Sequence, residues 1–192
     1  RFEDGRDELR FRDVRKFGFL LCLEGPPEAA CRELASLGPE PLEVGPAEFA
    51  AVLGARRGRV KAVLLDQARI AGIGNIYADE ALFAARVHPE TPASALGPVA
   101  VGRLYAAVRE VLGAAVAAGG STLSDDGYRD ADGNAGGFQL SHKVYGRKGE
   151  PCLACGTPVA VRRVAGRSSH FCPKCQRAKA SRRARPGRRP AH

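Results

Sequence analysis

Two Cys-x-x-Cys pairs near the carboxyl end constrain this chain more than any other feature. Cys152 and Cys155 form the first pair, Cys172 and Cys175 form the second, and sixteen residues separate the pairs. This spacing is typical of a zinc ribbon or zinc finger, in which each tight turn offers two thiolates to one tetrahedral Zn²⁺. We therefore predict one structural zinc ion, held by these four cysteines, in a small module that needs the ion to fold.

The other two cysteines, Cys22 and Cys31, have no comparable spacing. Cys22 stands in the apolar run FGFLLCLE and is expected to pack as a small hydrophobic residue. Metal-binding thiols together with unpaired cysteines are typical of a reducing compartment, so we expect a cytoplasmic protein.

The residues between the two cysteine pairs predict a β-hairpin. PVAVRRV and SSHF read as two strands, and AGR supplies the turn, where Gly166 can adopt a positive φ. Arg167 is then expected at or beside the hairpin tip, on a body that the zinc ion keeps rigid. The alternative is that Arg167 is one surface charge among many.

Positive charge is concentrated at the same end of the chain. The formal net charge is +9, and residues 177–192 contain seven Arg or Lys and no acidic residue. Residues 143–175 also contain seven Arg or Lys, against one Glu. A basic module with a basic tail favours a polyanion as partner, although the tail alone also fits a disordered, solubilising end.

Residues 46–118 have an alanine-rich helical pattern, with helices predicted in RRGRVKAVLLDQ, IYADEALFAARV and VGRLYAAVREVLGAAVAAG. Gly72 and Gly74 permit a tight turn between the first two helices, and Asn75 is expected to cap the second. The N–H groups at a helix start form a phosphate site, which Lys61 could also reach. The alternative is an ordinary helical corner with a capping Asn.

Glu80 stands out on the second of these helices. A helical wheel places it on an apolar flank with Ile76 and Val87, whereas Asp79 and Arg86 share a polar side. A carboxylate in apolar surroundings needs a partner. We expect Glu80 either to accept hydrogen bonds from a backbone donor or to face a ligand.

Taken together, these segments resemble the bacterial formamidopyrimidine-DNA glycosylases, the Fpg/Nei family. The segments that carry the resemblance occur in the family's order: LRFRDVRKFG, LGPEPL, IAGIGNIYADEALFAARVHPE, GGSTL, VYGRKGEPC and the zinc hairpin. The resemblance implies an α+β fold built from a helix-two-turn-helix domain and a zinc-finger β-hairpin. The implied domains are the last strands of a truncated amino-terminal catalytic β-sandwich (1–24), the helix-two-turn-helix DNA-binding domain (25–118), a lesion-capping loop (119–142), the zinc finger (143–176) and a basic disordered tail (177–192).

The resemblance also implies an activity. Enzymes of this family flip an oxidised purine, such as 8-oxoguanine or its ring-opened form, out of duplex DNA. An amino-terminal proline attacks the sugar, and the resulting Schiff base leads to strand cleavage by β- and δ-elimination. By the same resemblance we expect a monomer that acts on damaged double-stranded DNA in the bacterial cytoplasm, associated with the nucleoid.

Several positions of this chain match residues that have assigned roles in the family. The residues that match DNA contacts are Arg15, Phe17, Arg56, Lys61, Asn75 and Arg167. Arg15 would face the cytosine left without its partner, and Phe17 would wedge into the base stack, unless it packs in a core with Phe19.

Two residues are expected to be catalytic. Glu80 matches an acid near the lesion pocket, and Arg167 matches the zinc-hairpin arginine that grips phosphate and assists δ-elimination. The loop at 124–139 matches the segment that covers the flipped base, although here it is longer and richer in Asp and Gly.

The family's Pro-Glu start and the lysine of its front sandwich have no counterpart in this chain. We therefore expect the chain as given to bind DNA without forming the Schiff base. Two alternatives stay open. One is an endonuclease VIII-like glycosylase for oxidised pyrimidines, against which Arg15 and Phe17 argue. The other is a non-catalytic, zinc-dependent DNA-binding protein.

Overall fold

The computed structural model describes residues 11, 18, 20–22, 24–26, 31–54, 58–121 and 135–178. Their regular structure divides into a helical part and a carboxyl-terminal β-hairpin, which confirms the predicted α+β class. None of the helices in these ranges is both long enough and apolar enough to span a membrane.

The helical part contains helices of very different lengths. Its α-helices are α1 (Arg32–Ala35), α2 (Pro46–Gly54), α3 (Val60–Leu64), α4 (Asn75–Ala84) and α5 (Pro98–Ala117). Short 3₁₀ turns occupy Ala93–Ala95 and Phe138–Ser141. Helix α5 begins with Pro98 in its first turn, where the missing N–H costs nothing.

One hydrophobic core holds these helices together. Its fully buried side chains include Phe49, Leu53, Val60, Leu64, Ile70, Ile73, Leu82, Leu104 and Val108. The ring of Tyr105 lies 5.4 Å from that of Phe49, and its hydroxyl donates to the carbonyl of Val44 at 3.0 Å. The segment that precedes α2 is thereby fastened to α5.

The glycine turn between α3 and α4 differs in detail from the sequence prediction. Helix α3 ends at Leu64, and α4 has Gly74 at its N-cap and Asn75 as its first residue. Asn75 therefore does not cap the helix with its side chain. The side chain of Gln67 accepts the N–H of Gly72 and donates to the carbonyl of Ile73, which fixes the turn up to that point.

Gly38 lies against the backbone of this turn. Its N–H donates to the carbonyl of Gln67 at 2.8 Å. A Cβ at position 38 would overlap the carbonyl group of Arg69 and lie 2.8 Å from the amide nitrogen of Ile70. Only glycine fits this approach of two backbone segments.

We expect Gly38→Ala to destabilise the chain by about 1–3 kcal/mol, because the new methyl group meets backbone that cannot move aside cheaply. Gly113→Ala is the matched control, since a Cβ there meets nothing within 4 Å. In the interior of α5 that change should stabilise the chain by about 0.5–1 kcal/mol. Urea unfolding of the zinc-loaded variants, followed by circular dichroism, measures both. Equal stability of the two variants would refute the close approach.

The zinc module is built on strands β1 (Ala160–Val164) and β2 (Arg167–Phe171). They pair antiparallel, from Ala160 opposite Phe171 to Val164 opposite Arg167. Ala165 and Gly166 form the turn with φ of 50° and 76°, as a type I′ hairpin requires. The predicted hairpin is confirmed, and Arg167 is the first residue after its turn.

The chain between the helical part and the zinc module is anchored on both sides of residues 122–134. Ser121 forms a β-bridge with Gly137, and its hydroxyl lies 3.3 Å from Nε2 of His142. The His142 ring makes edge contacts with Phe138 and Tyr145, each at 5.7 Å between centroids. Burial lowers the pKa of His142, which favours the neutral ring in this aromatic cluster.

Candidate zinc site and nucleic-acid interface

The four predicted zinc ligands come together. The sulfurs of Cys152, Cys155, Cys172 and Cys175 all lie within 4.8 Å of one another, and those of Cys155 and Cys172 are 3.5 Å apart. A tetrahedron with Zn–S bonds of about 2.3 Å has S···S edges of about 3.8 Å, so one Zn²⁺ fits among them. Burial and the neighbouring cysteines raise the pKa of Cys175 to about 12, so this cluster holds four thiolates only with a cation among them.

Hydrogen bonds shape each cysteine pair into a tight turn. In the first pair, the N–H groups of Cys155 and Gly156 both donate to the carbonyl of Cys152, and Gly156 has a φ of 70°. In the second, the N–H of Cys175 lies 3.4 Å from the sulfur of Cys172. An N–H that points at the sulfur favours the thiolate form, as metal binding requires.

Gln176 was not predicted from sequence, yet it joins the zinc site to the helical part. Its side chain is fully buried, accepts the N–H of Cys172 at 2.8 Å and donates to the carbonyl of Val87 at 2.9 Å. Nearby, the ring of Phe171 meets that of His88 edge-on at 4.6 Å. The zinc site is thus fixed to the chain just beyond the end of α4.

Arg167 and Asn75, two of the predicted phosphate contacts, line the same cavity. Its volume is ≈ 310 Å³, and its wall consists of Leu65, Gln67, Gly72, Ile73, Gly74, Asn75 and Arg167. Arg167 is exposed, whereas Oδ1 of Asn75 is buried without a hydrogen-bond partner among the described residues. The first N–H groups of α4 have no side-chain cap within the described part of the chain. The cavity therefore offers a cation and a helix start to an anion, whereas the unpartnered oxygen of Asn75 is an acceptor and needs a donor.

Lys61 does not lie where its predicted role requires. Its side chain is fully buried, and its ammonium pairs with Asp79 at 2.7 Å and donates to the carbonyl of Ser168 at 2.8 Å. An ammonium with these partners, and with no solvent exposure, is not available to a phosphate. The direct phosphate contact predicted for Lys61 therefore does not fit the structure. Burial lowers the pKa of Lys61, and the charge of Asp79 opposes that shift.

The environment of Asp79 differs from the prediction of the helical wheel, which put this residue on the polar side of its helix. It is buried, and besides Lys61 it accepts the hydroxyl of Ser169 at 3.0 Å and the N–H of His170 at 2.8 Å. The polar side of α4 is covered by β2 of the zinc hairpin. The only local sign was the carboxylate itself, which the helical wheel assigned to solvent.

The carboxylate of Glu80 binds backbone donors, which is one of the two expected possibilities. It accepts the N–H groups of Lys143, Val144 and Tyr145 at 2.8 to 3.0 Å, and Glu80 is 3% exposed. A carboxylate with three such bonds is a tether for the chain that enters the zinc module. This placement gives no support to the catalytic role expected for Glu80.

Several predicted positions lie outside the described residues. They are Arg15, Phe17, Arg56, most of the loop at 124–139, nearly all of residues 1–24 and the tail beyond residue 178. Their expected roles stay predictions.

A second cavity borders the same glycine turn. It has a volume of ≈ 340 Å³ and is lined by Glu40, Pro41, Leu42, Gly72, Tyr77, Leu112, Ala115, Val116, Gly119 and Gly120. Most of this wall is apolar, and Glu40 is the only charged residue among the described residues that form it. Gly72 lines both this cavity and the one beside Arg167.

Two family models match the chain. One, described as the formamidopyrimidine-DNA glycosylase H2TH domain, matches residues 37–126. The other, described as a zinc finger found in FPG and IleRS, matches residues 149–178 and contains all four cysteines of the cluster. The cluster thus has both the geometry and the sequence context of a structural zinc finger.

Curated relatives are similar over most of this chain. The formamidopyrimidine-DNA glycosylase of Thermus thermophilus is 53% identical over 171 residues, which cover 88% of this chain and 64% of the relative. That of Nitratidesulfovibrio vulgaris is 49% identical over 174 residues, which cover 91% of this chain and 47% of the relative. The chain therefore spans between about half and two thirds of the length of these relatives.

Solved structures agree with these matches. The MutM (Fpg) protein from Thermus thermophilus superposes with a TM-score of 0.73 at 55% identity, covering 77% of this chain and 57% of that one. The Lactococcus lactis Fpg, in a complex with DNA containing an abasic site, superposes with a TM-score of 0.68 at 37% identity. That match covers 74% of this chain and 52% of the other.

Proposed function

Because this chain belongs to the formamidopyrimidine-DNA glycosylase family, we propose that it is the DNA-binding part of a repair glycosylase. The complete enzyme would excise oxidised purines from duplex DNA and nick the abasic strand. The observation that carries the proposal is the cavity that both Arg167 and Asn75 line. At this cavity the zinc hairpin lies beside the glycine turn between α3 and α4.

That cavity suits one phosphate of the DNA backbone. The exposed guanidinium of Arg167 contributes a full positive charge, and the uncapped start of α4 contributes N–H donors and the positive end of the helix dipole. The described residues of its wall include no acidic side chain. These groups bind phosphate whatever the base sequence, so they would position the strand rather than read it.

The cavity beside Glu40 suits an extruded base. An apolar wall favours a flat ring that has left the stack, and a carboxylate accepts the N–H groups on the Watson–Crick edge of a guanine derivative. Because Gly72 borders both cavities, a phosphate in one and a base in the other could belong to the same nucleotide.

The remaining residue roles are proposed from the chain's similarity to the family. Arg167 would also assist δ-elimination, since its charge stabilises the phosphate that leaves. Arg15, Phe17 and Arg56 are proposed as further DNA contacts. The protein is proposed to act as a monomer in the bacterial cytoplasm.

We expect Arg167→Ala to weaken binding to a duplex with a tetrahydrofuran abasic site by roughly 10-fold or more. A hydrogen bond between charged groups contributes about 1.5–3 kcal/mol, which corresponds to that range. Fluorescence anisotropy with the 192-residue chain, at fixed ionic strength, measures the dissociation constant.

Arg163→Ala is the matched control. Arg163 is an exposed arginine of the same hairpin, donates to the carbonyl of Gly166 and lines a different cavity from Arg167. Its removal changes the net charge equally but should weaken binding less than about 3-fold, as a general electrostatic contribution does. Equal losses in the two variants would mean that Arg167 has no specific phosphate partner.

Lesion preference is tested by excision. The chain, joined to the amino-terminal part of the Thermus thermophilus relative, is incubated with duplexes that contain 8-oxoguanine or thymine glycol. Faster release of 8-oxoguanine supports the proposal. Faster release of thymine glycol would favour an endonuclease VIII-like enzyme, and DNA binding without release of either base would favour a non-catalytic binding protein.

A further inference from the structure

A buried charge network connects α3, α4 and β2. Lys61 comes from α3, Asp79 comes from α4, and both side chains are fully buried. The network ends on three consecutive residues of β2: the carbonyl of Ser168, the hydroxyl of Ser169 and the N–H of His170. The residue before these three is Arg167.

Burying an ion pair is costly, so this network is a poor way to gain stability alone. The network does, however, restrict the position and orientation of β2 on α4. The bonds to Lys61 and Asp79 fix both the backbone and one side chain of β2, so the strand cannot slide or rotate on α4 without leaving buried charges unpaired. A packed apolar contact would restrain the strand less specifically.

The network also influences the side chain of Arg167. Lys61 pairs with Asp79 at 2.7 Å and binds the carbonyl of Ser168, the residue after Arg167. Burial is the main cause that lowers the pKa of Lys61, and the charge of Arg167 lowers it further. Because Asp79 is already occupied by Lys61, Ser169 and His170, the guanidinium of Arg167 gains little by turning inward. Repulsion from Lys61 favours the outward orientation, towards the cavity that contains Asn75.

We propose that Lys61 and Asp79 are positioning residues for Arg167: through Ser168, Ser169 and His170 they hold the hairpin tip so that its guanidinium faces the phosphate cavity. This inference rests on the proposed function in that the ligand of Arg167 is a DNA phosphate. Neither Lys61 nor Asp79 touches that phosphate.

The first test needs no DNA. In the zinc-loaded chain, amide hydrogen exchange followed by NMR reports on the N–H of His170, which donates to Asp79. Asp79→Asn should speed exchange of this amide by at least roughly 10-fold, since a neutral acceptor holds the N–H less strongly than a carboxylate does. Ser169→Ala, which removes only the hydroxyl bond to Asp79, should speed it by a smaller factor and guards against misfolding of the first variant. Unchanged exchange at His170 in both variants would overturn the inference.

Glu90→Gln is the matched control. Glu90 pairs with Arg162 of β1 at 3.0 Å, so it also links the helical part to the hairpin, but through the other strand and a partly exposed contact. Exchange at His170 should not change in this variant. An equal acceleration would mean that any loosened contact between the two parts has the same effect, which would overturn the specific role of Asp79.

The second test is a double-mutant cycle on binding to the tetrahydrofuran duplex. Asp79→Asn alone should weaken binding by roughly 5-fold or more, and the double variant with Arg167→Ala should bind no more weakly than Arg167→Ala alone. Strict additivity of the two losses would overturn the inference, because Asp79 would then act independently of Arg167.

The two tests separate the two proposals. If the wild-type chain does not bind the tetrahydrofuran duplex, the proposed function fails, and hydrogen exchange still decides whether Asp79 fixes the tip. If the chain binds as expected and the cycle is additive, the proposed function survives and the positioning role does not.

Discussion

Removing zinc with a strong chelator is expected to unfold the hairpin and to abolish binding of this chain to abasic DNA. The module buries few large side chains of its own, and a structural zinc ion contributes on the order of 10 kcal/mol or more to the folding of such modules. The helical part should survive, because the described residues of its buried core include none from the zinc module. Circular dichroism should therefore show most of the helical signal retained while DNA binding disappears.

A pair of cysteine variants separates the zinc site from thiol chemistry in general. Cys172→Ser removes a buried ligand and should reproduce the effect of the chelator, whereas Cys31→Ser changes a buried cysteine outside the cluster and should retain both zinc and DNA binding. For each variant, zinc content is measured by atomic absorption on the same sample that is used for the DNA-binding curve. If the chelated chain binds DNA as tightly as the zinc-loaded chain does, the zinc hairpin has no role in DNA binding.

Lys61→Met is expected to destabilise the chain by about 3–5 kcal/mol, because it leaves the carboxylate of Asp79 buried without its cation. Adding Asp79→Asn should recover a large part of this loss. The amide keeps an oxygen for the N–H of His170 but carries no charge to leave unpaired.

Lys148→Met is the control for this comparison, since Lys148 is exposed and has no ion pair among the described residues. It should change stability by no more than about 0.5 kcal/mol. Urea unfolding of the zinc-loaded chains gives all the values. If the single and double variants at positions 61 and 79 are equally unstable, the loss comes from packing and not from an unpaired charge.

The sequence was sufficient where structure depends on neighbouring residues. The cysteine spacing predicted the cluster, the alternation around AGR predicted the hairpin, and the apolar spacing of α5 predicted a long helix. Arg167 was placed beside the hairpin tip by the same local reasoning. Each of these predictions needed only contacts that are close along the chain.

The sequence was insufficient where a distant segment decides the environment. A helical wheel says which residues share a side, but not what covers that side. Asp79 was predicted on a polar side of its helix and Lys61 at a phosphate site, but β2, about ninety residues after Asp79, packs over both. Glu80 was left with two possible partners because its three N–H donors lie more than sixty residues away.

The tether made by Glu80 has a consequence for how this chain can vary. The bridge between Ser121 and Gly137 joins the two ends of the segment that lies between these residues. The carboxylate of Glu80 then binds residues 143–145, just before the zinc module. Neither anchor depends on how many residues lie between positions 121 and 137. Insertions and deletions there would leave the alignment of the zinc finger with the helices unchanged, so the length and composition of this segment can vary independently of the two modules that it connects.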